Sequence, residues 1–152
     1  MKKRSKYYRR SLGRYIGKEA TLECSEFRIT KANEDDIMYM ILEHPKVKKI
    51  HGVHIKNDWT INHLWVQIPA EKTDYFKKYF SLMRKVLITG NVYEYEYEKS
   101  GRLQAGIELK NIEILKYRKD LAKKYQLSPG TLLSKKKMDE IIKNENLENS
   151  FC

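Results

Sequence analysis

The chain has 152 residues, the length of one domain with extensions, and 41% of them are hydrophobic, which is enough for a core. Its formal net charge of +11 favours polyanionic partners, and no run of about 20 apolar residues predicts a membrane span. The only cysteines, Cys24 and Cys152, are too few for a disulfide framework, so we expect a reducing, cytoplasmic environment and no membrane contact.

Residues 1–14 predict a flexible basic arm. They show no apolar periodicity and contain no acidic residue, and the tyrosines lie between cations. Such an arm binds phosphates by counterion release, and its tyrosines could stack on bases; the alternative is a solubilising tail. The candidate binding residues of the arm are Lys3, Arg4, Lys6, Tyr7, Tyr8, Arg9, Arg10 and Arg14.

Two strands are predicted in the next part of the chain. Alternation over residues 19–30 predicts a long strand with a bulge near Ser25, because the buried parity switches there. The apolar run over residues 37–42 predicts a buried strand. Residues 51–55 alternate again, and we predict connections at residues 33–36, 44–49 (a basic loop) and 56–59.

The middle of the chain predicts the rest of a barrel. Residues 63–68 alternate with Leu64, Val66 and Ile68 inward, and residues 73–83 carry an apolar stripe at helical spacing. Residues 86–98 and 103–114 predict a hairpin, with parity changes at Gly90 and Asn111 that are typical of curled strands. The order strand, helix, hairpin predicts a mainly β fold: a five-stranded OB-like Greek-key barrel with one helix between strands 3 and 4.

A helical extension is predicted after the barrel, giving an arm at 1–14, a barrel at 15–115 and an extension at 116–152. Within it, residues 121–131 resemble the helix-turn-helix of GntR-type bacterial regulators, with Gln126 where glycine is usual. Ser128 and Pro129 predict the start of the second helix, and Met138, Ile141 and Ile142 give it an apolar stripe. The segment is either a DNA-reading unit or a helical hairpin packed on the barrel.

No arrangement of residues predicts catalysis. His51 and His54 have a spacing found in zinc sites, but no second ligand pair follows, and on a strand they would point to opposite faces. Phosphate-loop, nucleophile-elbow and metalloprotease motifs are missing from the sequence. We therefore expect a protein that is not an enzyme, with neither metal nor cofactor.

Three segments resemble a known family. Asn62-His-Leu-Trp-Val66, Gly90-x-Val92-x-x-Tyr95 and Ile107-x-Leu109-x-Asn-Ile112 are similar to small OB-fold proteins of phages, plasmids and integrative elements of low-GC Gram-positive bacteria. In that family Asp stands at the position of Asn62, and Phe and Ala at those of Ile88 and Gly90. The resemblance covers about residues 19–115 and implies an OB barrel. It implies a nucleic-acid ligand only by analogy.

These observations predict a non-catalytic nucleic-acid-binding protein of a mobile element that favours single-stranded DNA. Besides the arm, the candidate phosphate contacts are Lys46, Lys48 and Lys49, and the candidate stacking and polar residues are Tyr39, His63, Trp65, Gln67 and Tyr93. The alternative is a protein-interaction module, an accessory protein or inhibitor that binds a host or element-encoded enzyme. Salt separates the two, because phosphate binding weakens steeply with ionic strength.

Overall fold

A computed structural model of the chain describes residues 12–31, 37–97, 101–128 and 133–147. Within them the protein is mainly β, with eight strands in one sheet and three α-helices. The strands are β1 (Glu19–Cys24), β2 (Glu26–Lys31), β3 (Met38–Glu43), β4 (Lys46–Ile50), β5 (Val53–Thr60), β6 (His63–Ile68), β7 (Met83–Tyr97) and β8 (Arg102–Tyr117). The helices are α1 (Thr73–Tyr79), α2 (Lys119–Lys124) and α3 (Lys135–Asn144), with 3-10 turns at Gly13–Tyr15, Ala70–Lys72 and Phe80–Leu82.

The sheet curls round on itself. Its strand order is β2-β3-β6-β8-β7-β1-β4-β5, and neighbours are antiparallel except β6 and β8, which are parallel. Only Ser25 separates β1 from β2 in the chain, yet four strands stand between them in the sheet. One residue of extended chain spans only about 3.3 Å, so the end of β1 and the start of β2 must lie close together. The sheet must therefore close on itself to bring these two strands together.

The predicted count of five strands is wrong, because the first strand, expected over residues 19–30, is divided in two, and β4 and β5 are strands that the count did not include. The first changes partners at Ser25: Cys24 is opposite Val86, whereas Glu26 is opposite Glu43. β3, the expected second strand, ends before His44 and Pro45, where His44 has a φ of 52° and proline offers no backbone N–H.

The two additional strands, β4 and β5, correct two further expectations. Residues 56–59 do not form a turn, because β5 continues to Thr60 and the break falls at Ile61 and Asn62. Nor are residues 44–49 a loop: β4 begins at Lys46 and buries Val47 in the core. The Ile61 N–H donates to the Pro45 carbonyl at 3.0 Å, which joins the two breaks.

The interior is filled by the side chains that alternation predicted to point inward. Leu64, Val66 and Ile68 of β6 are buried, as are Ile88 and Ile107 of the hairpin. One core cluster contains all of them together with Phe76 and Tyr79, the buried residues of α1. The helix therefore packs its predicted apolar stripe against the interior of the sheet.

Gly90 is required at a close approach of β7 and β8. The register shifts between Thr89 and Gly90, as the parity change predicted. A Cβ at Gly90 would overlap the backbone carbonyl oxygen of Glu108, so a side chain there would push the two strands apart.

The C-terminal helices pack on the barrel. Met138, Ile141 and Ile142 of α3 are buried in the core cluster, as their spacing predicted, and the Tyr79 hydroxyl donates to Asp139 at 2.6 Å. α2 ends at Lys124 and α3 begins at Lys135, with ten residues between them, of which the structure describes 125–128 and 133–134; the turn of a helix-turn-helix has three or four residues.

The start of the second C-terminal helix also differs from the expectation. Ser134 rather than Ser128 caps α3, accepting the Lys137 N–H at 3.1 Å. Gln126 follows α2 with a φ of 55°, the left-handed conformation that explains why glycine is usual at that place in the resembling motif.

The described chain begins at Leu12, whose side chain is fully buried in the core cluster. Gly17 and Lys18 then run beside β7, exchanging two backbone hydrogen bonds with Val92 at 2.8 and 2.9 Å. Arm residues 1–11 lie outside the described residues, and the division at 14 and 115 stays a prediction. In the described residues no helix is long and apolar enough to cross a membrane.

Candidate nucleic-acid interface

Four aromatic side chains lie together on the outer surface of the sheet. Residues of β6 and β7 alternate between the core and the outside, so Trp65 points away from the core, whereas its neighbours Leu64 and Val66 point into it. The Trp65 ring meets the Tyr39 ring edge to face, with centroids 5.4 Å apart, and Tyr93 and Tyr95 are adjacent at 5.8 Å. We call these four residues the aromatic face.

The backbone brings the two pairs of rings together across β8. Gly106 is opposite Tyr93, and a Cβ at Gly106 would lie 3.0 Å from Tyr93 Cζ and 3.1 Å from the Trp65 carbonyl oxygen. The missing side chain thus lets the Tyr93 ring lie across β8 toward β6. The aromatic face therefore runs transversely over β3, β6, β8 and β7.

Two members of this arrangement, Tyr95 and Gly106, were not among the predicted site residues. The signals were present in the sequence: Tyr95 shares the parity of Tyr93, and a glycine within the alternating β8 pattern indicates a close approach. The Tyr95 hydroxyl donates to Gln104 at 2.9 Å, which fixes that ring from its polar end.

A buried apolar residue lies beside the rings on the outer surface of the sheet. Ile41 is opposite Trp65 in the β3–β6 register and is 3% exposed, although it lies on the outer surface and outside the core cluster. The four rings themselves stay partly exposed. Each ring thus keeps contact with the protein and leaves area for a ligand.

The hydroxyl groups of the aromatic face are crowded. Burial raises the pKa of Tyr93 above its ordinary value of 10.0, and the neighbouring Tyr39, Tyr95 and Glu108 raise it further. Tyr93 is therefore neutral at physiological pH and acts as a flat apolar surface with a hydrogen-bonding end.

Two described charges of opposite sign lie near these rings. The Arg28 side chain is exposed opposite Ile41, and Glu108 is exposed opposite Gln67 on the same outer surface. The cation and the carboxylate offset each other, so the aromatic face presents rings rather than a positive field. Phosphate attraction has to come from other segments.

The predicted polar residues Gln67 and His63 lie in different surroundings. Gln67 is opposite Tyr39 and belongs beside the aromatic face. His63 is exposed two residues before Trp65 and is opposite Glu43, which in turn is opposite Glu26. The carboxylates near His63 make that end of β6 less favourable for phosphate.

The three predicted lysine contacts lie on a different part of the sheet. They are on β4, which pairs with β1 and β5 and with none of the strands that carry the rings. Lys48 lies 3.9 Å from Glu23, and Lys85 makes an ion pair with the same carboxylate. The pKa of Glu23 is lowered, mainly because Lys85 forms a hydrogen bond with its carboxylate. The charges of Lys48 and Lys46 lower it by smaller amounts.

Lys46, Lys48 and Lys49 thus lie on a strand that carries none of the four rings. Of the predicted arm residues, Arg14 is exposed, and Lys3 to Arg10 lie outside the described residues. Among the described ranges, no group of three or more His, Cys, Asp or Glu residues could hold a metal ion.

No protein-family model matches the chain, and no curated protein matches its sequence. Among solved structures, the chain is similar to a small single-stranded DNA binding protein from Mycoplasma pneumoniae, with a TM-score of 0.46 and 12% identity. The match covers 76% of this chain and 97% of that protein. At this identity few side chains are shared, so what this protein binds has to be inferred from its own residues.

Proposed function

We propose that this chain is a non-catalytic nucleic-acid-binding protein with an OB-type barrel, and that it favours single-stranded DNA. One observation carries the proposal: the aromatic face, four partly exposed rings held side by side on the outside of the sheet. Unpaired bases expose flat surfaces that stack on such rings, whereas bases inside a duplex do not.

The strand pairing supports the OB-type barrel. When β1–β2, β3–β4 and β5–β6 are each counted as one bent strand, five strands remain, and the third is parallel to the last. In OB barrels the surface of the second and third strands binds oligonucleotides. Tyr39 and Trp65 lie on the corresponding strands, β3 and β6.

The proposal includes an origin in a mobile element and a cytoplasmic location. The first is supported by the resemblance of residues 62–66, 90–95 and 107–112, and the second by the sparse cysteines. A gene that lies among ordinary chromosomal genes in related genomes, with no phage, plasmid or integrative genes around it, would contradict the origin.

The two tryptophans allow a direct test of stacking. Trp59 is on β5 and packs against the core cluster, away from the aromatic face. In a Trp59→Phe variant, Trp65 is the sole tryptophan, and its fluorescence should be quenched when oligothymidine binds. In the matched Trp65→Phe variant, Trp59 should report little change.

The same titration separates the candidate ligands. We expect oligothymidine to bind more tightly than oligouridine or a duplex of the same length, and each affinity to fall between low and high salt. Unchanged Trp65 fluorescence with every nucleic acid at low salt would refute the proposal. A partner protein bound with little dependence on salt would then favour the protein-interaction alternative.

A further inference from the structure

Some of the cations on the described C-terminal helices make no ion pair. All four described carboxylates of the helical extension, which comprises residues 116–128 and 133–147, have an ion-pair partner. The pairs are Asp120–Arg118, Asp139–Lys78, Glu140–Lys137 and Glu145–Lys124, with nitrogen–oxygen distances of 2.6, 3.0, 3.9 and 2.7 Å. In the described part of the chain Lys119, Lys123, Lys136 and Lys143 are exposed and make no ion pair.

These four lysines form two pairs on helix surfaces. Lys119 and Lys123 are one turn apart on α2. Lys136 and Lys143 are two turns apart on α3, on the side opposite its buried residues, and so about 10 Å apart along the helix at about 1.5 Å per residue. This is about the axial rise of three base pairs, at about 3.4 Å each.

The two helices hold these pairs in a fixed relation. Glu145, just after α3, accepts a hydrogen bond from the Tyr125 hydroxyl at 3.1 Å and pairs with Lys124. The Lys137 ammonium lies 5.6 Å from the centre of the Tyr125 ring, and the Lys124 ammonium lies 5.8 Å from it. The Tyr125 ring thus has two ammonium groups near it, and its hydroxyl is used in a hydrogen bond.

The helical extension therefore offers ammonium groups without a free ring, the opposite of the aromatic face. Tyr117, its other tyrosine, is buried. A ligand suited to such a surface presents regularly spaced phosphates and keeps its bases stacked inside, and a nucleic-acid duplex has both properties.

We propose that the helical extension is a second binding surface, which holds the phosphates of a duplex while the aromatic face holds an adjoining single strand. This inference rests on the proposed function for the single-stranded part. The chain connects the two surfaces directly: β6 carries Trp65 and Gln67 and leads into α1, and Asp139 of α3 bonds to Tyr79 and Lys78 of α1. The preferred ligand is then a duplex with a single-stranded tail.

The test compares three DNA ligands: a duplex with an oligothymidine tail, the blunt duplex and the tail alone. The variants are Lys119→Gln with Lys123→Gln, and Lys136→Gln with Lys143→Gln. A matched control, Lys18→Gln with Lys56→Gln, removes the same charge from exposed positions outside the helices. Thermal unfolding of all three should match the wild type, since none of these side chains is buried.

The dependence of affinity on salt gives the result. The slope of log affinity against log salt falls by about 0.9 for each duplex phosphate that the protein no longer neutralises, so each helix variant should lose up to about 1.8 on both duplex ligands. Neither should change the slope for the tail alone. The control should give equal, smaller changes on all three ligands.

Equal slopes for the helix variants and the control would overturn the second surface, whatever happens with single strands. A wild-type protein that binds both duplexes through these lysines but not the tail would refute the proposed function and the joint binding. A reduced duplex slope in the helix variants, together with tight binding of the tail, supports both proposals.

Discussion

In the proposed function, Trp65 is the residue on which single-strand binding depends most. It is opposite Ile41 in the β3–β6 register and its ring touches Tyr39, so it is held in place before a ligand arrives. Stacking of one aromatic ring on a base contributes about 1–3 kcal/mol. Trp65→Ala should therefore weaken binding of oligothymidine about 5- to 150-fold, since about 1.4 kcal/mol corresponds to tenfold.

Stability distinguishes this effect from a loss of packing. Trp65 lies outside the core cluster, so the unfolding temperature of Trp65→Ala should fall only slightly. Trp65→Phe keeps a ring and should retain more of the affinity than Trp65→Ala does. A large fall in unfolding temperature with unchanged affinity would make Trp65 a packing residue.

Gly106 provides an independent test of the aromatic face, because it changes no aromatic residue. In Gly106→Ala the new methyl group would press on the Tyr93 ring, and this ring should move off β8. We expect affinity for oligothymidine to fall several-fold. A calorimetric titration that gives the wild-type affinity would show that the position of the Tyr93 ring does not matter.

Gly90→Ala is the appropriate comparison, since Gly90 also lies at a close approach of strands but away from the rings. There the added methyl group meets the Glu108 backbone, which cannot rotate away. This substitution should lower the unfolding temperature more than Gly106→Ala does, because overpacking a rigid site costs about 1–3 kcal/mol.

At the scale of single elements, docking of α3 should depend on pH. The hydrogen bond from Tyr79, followed by that from Lys78, lowers the pKa of Asp139 below its ordinary value of 3.8. The folded state thus favours the carboxylate, so its contribution is present above about pH 4 and is lost as the pH falls toward the lowered pKa. Amide exchange in α3, corrected for intrinsic rates, should become faster over that range.

Asp139→Asn should remove part of this pH dependence and speed exchange in α3 at neutral pH. Glu140→Gln is the matched control, because Glu140 pairs with Lys137 inside the same helix and does not reach α1. If both variants exchange alike, the contacts of Asp139 with α1 do not hold the helix in place.

The elements that the sequence predicted well are those whose patterns are local. Leu64, Val66 and Ile68 point inward and Trp65 outward because alternation depends only on neighbouring residues. The breaks at Pro45 and Asn62 depend on which strands lie alongside, and β4 shows one buried valine between lysines, too short a pattern to predict a strand.

The candidate site was predictable to a similar extent. Parity placed Trp65 on the outer surface, and Tyr39 and Tyr93 were predicted as further stacking residues, but their meeting depends on the parallel pairing of β6 with β8, which no local pattern encodes. Lys46 and Lys48 are close in sequence to Tyr39, yet the division between β3 and β4 places them beside Glu23 instead.

For the whole molecule, this division separates rings from cations. The aromatic face is nearly neutral, because Arg28 is balanced by Glu108, whereas the surplus charge lies in the residues before β1 and after β8. A ligand held on the rings alone would bind with little dependence on salt. Strong salt dependence for single strands therefore requires a basic segment that reaches the same ligand.

By its charge, the arm is the basic segment that we expect to contact the single strand held on the rings. Removing the arm tests this expectation. Leu12 is part of the core, so the deletion should stop at residue 11; residues 2–11 contain six cations, and Arg14 and Lys18 remain. The salt slope for a single strand should fall by about 0.7 for each phosphate that the arm neutralises, up to about 4 in all. The unfolding temperature should stay near that of the full chain, and a deletion variant with the full-length slope would show that the arm is a solubilising tail.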